Sequence, residues 1–310
     1  MGRPSRRRLR TAATGAAYAA AWAAVRRLPE PVVARAFDLG ADAAARRGGR
    51  GTSRLRENLA TVRPNATPEE LDALVRAGMR SYARYWREVF TLSELSGDAV
   101  LERVQAPAFH HIEQGVARGR GVILALPHMG NWDLAGAFLA RRGYPFTTVA
   151  ERLEPAELFD RFVAFRSGLG MEVLPLTGNA APPMAVLEER LRAGGVICLL
   201  ADRDMSARGV EVSFFGRPAR MAAGPAALAL RTGATLLPVT CPYLTPRTML
   251  AGVHPPVYGG PGAPAGTTVD SLTQALADAF ATGPDGIAAH PEDWHMLARL
   301  WTAEREAAPA

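Results

Sequence analysis

Apolar residues in this chain follow two rhythms, and the change between them comes near Gly121. Before it, apolar positions recur at helical spacing. Pro31 to Arg46 and Arg54 to Ala60 carry that period, with Pro31 tolerated in a first turn. Thr67-Pro68-Glu69-Glu70 has the form of a capping box with proline at the first helical position. The helix it opens reaches Glu88 or beyond. From Gly121 onward, short apolar runs alternate with helical patterns. Gly121 to Leu126, Phe146 to Ala150, Val173-Leu174, Val196 to Leu200, Val210 to Phe214 and Thr235 to Thr240 read as strands. Asp133 to Arg142, Pro155 to Ser167, Pro182 to Arg192 and Ala222 to Thr232 read as helices. After a proline- and glycine-rich loop, Pro255 to Gly266, come a helix near Val269 to Thr282 and a short one around Trp294 to Trp301. The alternation predicts an α/β fold, a central mixed sheet flanked by helices with a helical amino-terminal portion. No repeat, heptad array or long linker divides it. The simplest organisation is one domain over residues 1–310, helical over 1–100 and an α/β core over 101–310.

Composition narrows the class. A hydrophobic fraction of 48% supplies a sizeable core and argues against disorder. The chain has no lysine, so all 36 basic residues are arginine, and the net charge of +6 favours an anionic partner. Nucleic acid, phospholipid headgroups and a phosphorylated cofactor all qualify by charge. Aromatic residues are not interleaved with the arginines, which weighs against nucleic acid. Cys198 and Cys241 lie in apolar runs and read as buried core thiols, with no disulfide framework. Arg3, Arg6, Arg7, Arg8 and Arg10 precede an alanine-rich stretch closed by Arg26 and Arg27, with Tyr18, Trp22 and Val25 on one helical face. The apolar part is shorter than the ~20 residues that span a bilayer. It reads as a basic amphipathic helix in a membrane interface, or as a helix packed on its neighbour with solvated arginines.

The chemistry concentrates after the first strand. Leu126-Pro127-His128-Met129-Gly130-Asn131-Trp132-Asp133 delivers a histidine to the mouth of a helix, with a carboxylate five positions on. Open α/β sheets place ligands at such strand ends. Histidine titrates near neutrality and can take a proton from a hydroxyl. A helix amino terminus there favours an oxyanion. No cysteine or G-x-S-x-G serine stands beside it, so the pattern suggests a substrate hydroxyl activated to attack a bound ester or thioester. Ala201-Asp202-Arg203-Asp204 follows another strand. It is either a solvent-facing turn or a source of a carboxylate that orients the acceptor or supports the histidine. His128, Asp133, Asp202 and Asp204 are legitimate metal-ligand types, but their spacing matches no tight metal motif. Phe214-Phe215 is either core or the lining of an acyl tunnel. Glu151-Arg152 and Arg166 are either surface charges or part of a phosphate-holding cluster near His128.

In order, the motifs P-H-M-G-N-W-D, A-E-R-L, A-D-R-D, F-F-G-R-P-A and G-P-A-A-L-A resemble the bacterial lysophospholipid and lipid A acyltransferase superfamily. The likeness is greater to the actinobacterial phosphatidylinositol mannoside acyltransferases and covers roughly residues 50 to 300. It implies an acyl-CoA donor; thioester alcoholysis with a base and oxyanion donors needs no metal, and no resident cofactor is expected. It also implies a mannosylated phosphatidylinositol lipid as acceptor and a peripheral enzyme at the cytoplasmic face of the cell membrane, on an anionic surface. Carried over position by position, His128 is the general base and Asp133 its orienting partner. Glu151, Arg166 and Asp202 fall at positions like the family's site residues, and some relatives carry glutamate where Asp202 stands. Arg166 and Arg203 are candidates to hold phosphates. Rival readings are an acyltransferase of another glycolipid or lysophospholipid, a thioesterase using water, and a silent membrane- or nucleic-acid-binding module.

Overall fold

The computed structural model describes residues 25–152, 156–177, 182–204, 206, 208–260 and 262–302. The basic helix expected through Tyr18 and Trp22 lies outside the described residues. Val25, at its end, is buried in a small cluster with Val33 and Phe90.

Among the described residues the chain opens with α1 Glu30–Arg47, α2 Arg50–Val62, α3 Pro68–Leu92 and α4 Gly97–Arg103. The capping box is present at Thr67, whose side chain accepts from the Glu70 backbone while Glu70 reaches back to the Thr67 N–H. After the short β1 Val104–Gln105 and α5 His110–Ala117, the chain alternates: β2 Val122–Leu126, α6 Trp132–Arg141, β3 Phe146–Ala150, α7 Ala156–Gly168, β4 Met171–Pro175, α8 Pro183–Arg192 and β5 Val196–Leu200. There follow β6 Val210–Phe214, β7 Arg217–Met221, α9 Gly224–Thr232, β8 Thr235–Thr240, β9 Met249–Leu250, β10 Gly252–Val253 and α10 Val269–Thr282. No helix among the described residues is long and apolar enough to cross a membrane.

Six strands form the main sheet in the order β10-β8-β2-β5-β3-β4. Neighbours are parallel except β10, which runs antiparallel to β8 and makes the sheet mixed. Strand β2 lies near the centre and is buried on both faces, which explains its unbroken apolar run. Alternate residues serve opposite layers. Ile123 and Ala125 pack with α8, α9 and α10, whereas Val122, Leu124 and Leu126 pack with α5 and α6.

Two sequence expectations change in kind. The segment Arg217–Met221, to which the sequence pattern assigns no element, is a strand that pairs antiparallel with β6. The short helix expected at Trp294 to Trp301 is absent. A 3-10 turn at Pro291–Asp293 leads instead into a non-helical segment. Its backbone bonds go outward: His295 N–H donates to His128 O at 2.7 Å, and Met129 and Trp294 form an antiparallel bridge. Those tertiary partners replace the local bonds a helix would need.

Candidate active site

Strand register builds the site. Leu126 of β2 lies opposite Leu200 of β5 in a parallel pair, and the Ala201 N–H donates to Leu126 O at 2.8 Å. His128 and Asp202 each stand two residues beyond those partners, so the two strand ends bring them side by side. His128 Nδ1 lies 2.6 Å from Asp202 Oδ1. The other oxygen, Oδ2, accepts the His128 backbone N–H at 2.9 Å and the Trp294 indole N–H at 3.0 Å. Asp202 is fully buried. Burial acts to raise its pKa, yet the net shift is downward: the charge and hydrogen bond of the His128 ring, the Trp294 indole and the His128 amide all favour the carboxylate. An ionised Asp202 takes the Nδ1 proton's hydrogen bond, so Nε2 is the ring atom with the free lone pair. The ring's side chain is 23% exposed, enough for a reactant to reach it.

The turn after His128 admits only glycine at Gly130. Its φ is 56°, and a Cβ there would fall 1.7 Å from the Cys241 carbonyl oxygen. Asn131 then caps α6, accepting the Leu134 N–H at 2.9 Å, and donates to Glu88 at 2.8 Å.

Asp133 does not hold the histidine. Among the described residues no hydrogen bond joins it to His128, and both its oxygens are occupied. Arg166 Nε and Nη2 donate to it at 2.7 and 3.1 Å, and the Tyr85 hydroxyl at 2.9 Å. The second position of α6 aims this carboxylate at α3 and α7, away from the imidazole. Burial alone pulls the Arg166 guanidinium toward neutrality, and the facing Asp133 carboxylate more than reverses that. The Tyr85 phenol is pushed well up, first by burial and then by Asp133. The fork of Arg166, a candidate for phosphate, is therefore engaged by Asp133.

Glu151 and Arg203 meet at the ends of β3 and β5, with Nη2 4.0 Å from Oε2. Arg203 Nε is buried and has no hydrogen-bond partner among the described residues. Asp204 closes its own loop, accepting the N–H groups of Ser206 at 2.8 Å and Gly209 at 2.9 Å. Of the four ligand types in the metal reading, His128 and Asp202 face each other, while Asp133 and Asp204 turn to other partners.

Beside the site lies an apolar cavity of ≈ 90 Å³ between α6 and the sheet. Trp132 lines it, and its ring centroid is 5.7 Å from that of His128. In strand register the lining descends from Leu126 and Leu200 to Phe146 and Met171, four residues or about 13 Å lower. Cys198 lines it too, whereas Cys241 is buried; both are free thiols. The Phe214 alternative resolves to core. That ring is fully buried against Trp294 and Trp301, in the layer opposite the cavity, and neither Phe214 nor Phe215 lines it.

Sequence reasoning missed a set of supporting residues on α3. Ser81, Tyr85 and Glu88 share one helical face and bond Asp293, Asp133 and Asn131 respectively. Spacing alone made them helical, and nothing in the pattern said what that face would meet. Trp294 carried no signal at all.

A strand-end histidine bonded to a buried carboxylate thus stands beside a largely apolar cavity. The chain matches the family model described as bacterial lipid A biosynthesis acyltransferase over residues 2–303. It is 49% identical over 298 residues to a phosphatidylinositol mannoside acyltransferase of Mycobacterium tuberculosis strain H37Rv, covering 94% of this chain and 90% of that one. A protein of the same name from Mycolicibacterium smegmatis is 46% identical over 291 residues, covering 94% and 92%. The chain belongs to the bacterial lipid A biosynthesis acyltransferase family, and it is an acyltransferase.

Proposed function

We propose that this acyltransferase moves a fatty acyl group from acyl-CoA to a mannose hydroxyl of a phosphatidylinositol mannoside. The acceptor follows from the names of the two relatives; the observation that carries the mechanism is the His128–Asp202 pair beside the apolar cavity. The first methylenes of the acyl chain enter the cavity, with the thioester carbonyl at its upper end. His128 Nε2 takes the hydroxyl proton as the sugar oxygen attacks the carbonyl carbon. The tetrahedral oxyanion forms near the amino end of α6, where unpaired N–H groups and the helix dipole favour negative charge. The C–S bond then breaks, and the leaving thiolate takes the proton back from His128. Asp202 keeps the ring in the reactive tautomer and stabilises the transient imidazolium, and no acyl-enzyme forms. Arg203 and Glu151 stand at the rim and contact the polar parts of donor or acceptor.

The enzyme works as a peripheral protein at the cytoplasmic face of the membrane. Leu28, Val32 and Leu39 are exposed just before and along α1, close in sequence to the exposed Arg26 and Arg27. Together they offer a shallow apolar and cationic contact to an anionic bilayer. Incubation with radiolabelled acyl-CoA and a panel of mannosylated and plain lipids tests the reading. Label on the mannosylated lipid supports it. Label only on other lipids, or release of free fatty acid alone, contradicts it.

A further inference from the structure

We propose that Trp294 is a positioning residue of the transfer reaction, its indole N–H locking Asp202 in the orientation that serves His128. The inference rests on His128 acting as the base. Asp202 has no exposed surface, so every lone pair it directs inward needs a donor. It has three: the His128 ring, the His128 amide and Trp294 Nε1. Two of these belong to the residue being oriented. Trp294 is the one independent anchor among the described residues.

The anchor is itself rigid. The indole is fully buried, with ring centroids 5.8 Å from Phe214 and 6.4 Å from Phe215. Its backbone runs antiparallel to the catalytic turn: the Gly130 N–H donates to Asp293 O at 2.9 Å, and the His295 N–H to His128 O at 2.7 Å. Histidine and indole therefore ride on one small ladder, and the Asp202 carboxylate, from the end of β5, bridges the two. The charged and titratable neighbours of Asp202 are His128, then Arg203 and Asp204 along its own chain, and Asp293 and His295 on either side of Trp294. Asp293 is held by Ser81 Oγ at 2.6 Å and the Tyr243 N–H at 2.8 Å. His295 bonds Ser81 at 2.9 Å, and burial pushes its pKa down to about 3, so it stays neutral. Asp204 is spent on its loop. Loss of the indole N–H removes one of the groups that hold Asp202 below the ordinary carboxylate range, so its titration moves up.

The test compares wild type with Trp294→Phe and with a variant carrying benzothienylalanine at 294, where sulfur replaces the N–H in a ring of the same shape. Circular dichroism checks folding. The readouts are kcat, KM, the acid limb of the pH–rate profile, and the ring-nitrogen resonances of His128 against pH in the ligand-free enzyme. Losing one hydrogen bond to a charged group predicts a fall in kcat of about ten- to a hundred-fold with little change in KM. In both variants the acid limb and the His128 resonances move to higher pH. Folded variants with limb and resonances at their wild-type positions overturn the proposal, whatever the rate. A slower enzyme with an unmoved limb assigns Trp294 to packing alone. If His128→Ala is fully active, the base assignment fails instead, and the resonances still report whether Trp294 controls the pair.

Discussion

Asp133 and Asp202 make an instructive pair. Both carboxylates are buried, at 1% and 0% exposure, and each accepts three hydrogen bonds. They differ in what balances their charge. Asp133 faces a guanidinium that is charged at all times, closed over by a tyrosine hydroxyl. Asp202 faces an imidazole, a tryptophan N–H and a backbone amide, none of which carries a permanent charge. A carboxylate already neutralised by arginine has little left for a transient cation. A carboxylate whose facing imidazole is charged only when protonated keeps its field for the imidazolium that the proposed transfer would form. The first arrangement ties α3, α6 and α7 together, and the second is the pair proposed above to serve the transfer.

The largest effect is expected at the base. His128→Ala should lower turnover by about 10²–10⁴-fold, with donor binding largely intact, measured by initial rates and equilibrium binding of acyl-CoA. Near-wild-type turnover in a folded variant removes His128 from the mechanism.

Next comes the clamp. Asp133→Asn leaves the guanidinium of Arg166 buried without its carboxylate, so stability should fall by about 3–5 kcal/mol in chemical denaturation. Replacing Asp133 and Arg166 together with apolar residues of similar volume should recover much of that loss, because the orphaned charge goes too. An Asp133→Asn protein as stable as wild type breaks the assignment of this pair as a clamp.

Asp202 makes a pH prediction with a definite sign. Its folded-state pKa lies below the unfolded value, so its stabilisation is fully present above the ordinary carboxylate range, about 3.9. It is lost as pH falls through the folded-state value. The stability gap between wild type and Asp202→Asn should stay constant from neutral pH down to that range and close below it, read from melting temperatures in a pH series. A gap already closing near neutrality contradicts the downward shift.

The smallest effect concerns the cavity. A Cβ at Gly136 would lie 2.8 Å from both Met171 Cε and Phe146 Cζ, the side chains that reach up from its floor. Gly136→Ala should press those ends into the cavity and shift preference toward shorter acyl chains by about ten-fold, the scale of a methylene in an apolar pocket. Rates with acyl-CoA donors from octanoyl to stearoyl decide it. An unchanged length profile places the chain elsewhere.

The α/β class, the mixed sheet and most element centres were legible because β2 and β5 are unbroken apolar runs, β8 has an apolar centre between two threonines, and α3 carries a full capping box. His128 and Asp202 were legible as strand-end residues, and their adjacency was not. It depends on β2 pairing with β5 rather than with β3, its successor in sequence. The pairing of Asp133 with Arg166 was hidden for a similar reason. A carboxylate five residues after a histidine looks like its partner along the chain, but α6 turns it onto another face. Trp294 was misread as helical because the bonds that hold its segment extended come from a turn more than 160 residues earlier, between His128 and Gly130.

The claim at the centre is that Asp202, not Asp133, serves the histidine. Single-turnover acyl transfer by Asp202→Asn and Asp133→Asn tests it most directly, with each rate normalised to the folded fraction at a temperature where both variants are folded. Asparagine at 202 can present its amide to Nδ1 and favour the wrong tautomer, a change that costs about 10⁴-fold in a serine protease triad. The account predicts a loss at 202 at least ten times that at 133, with most of the Asp133→Asn effect appearing as instability. Equal losses per folded molecule, or a greater loss at 133, would contradict it.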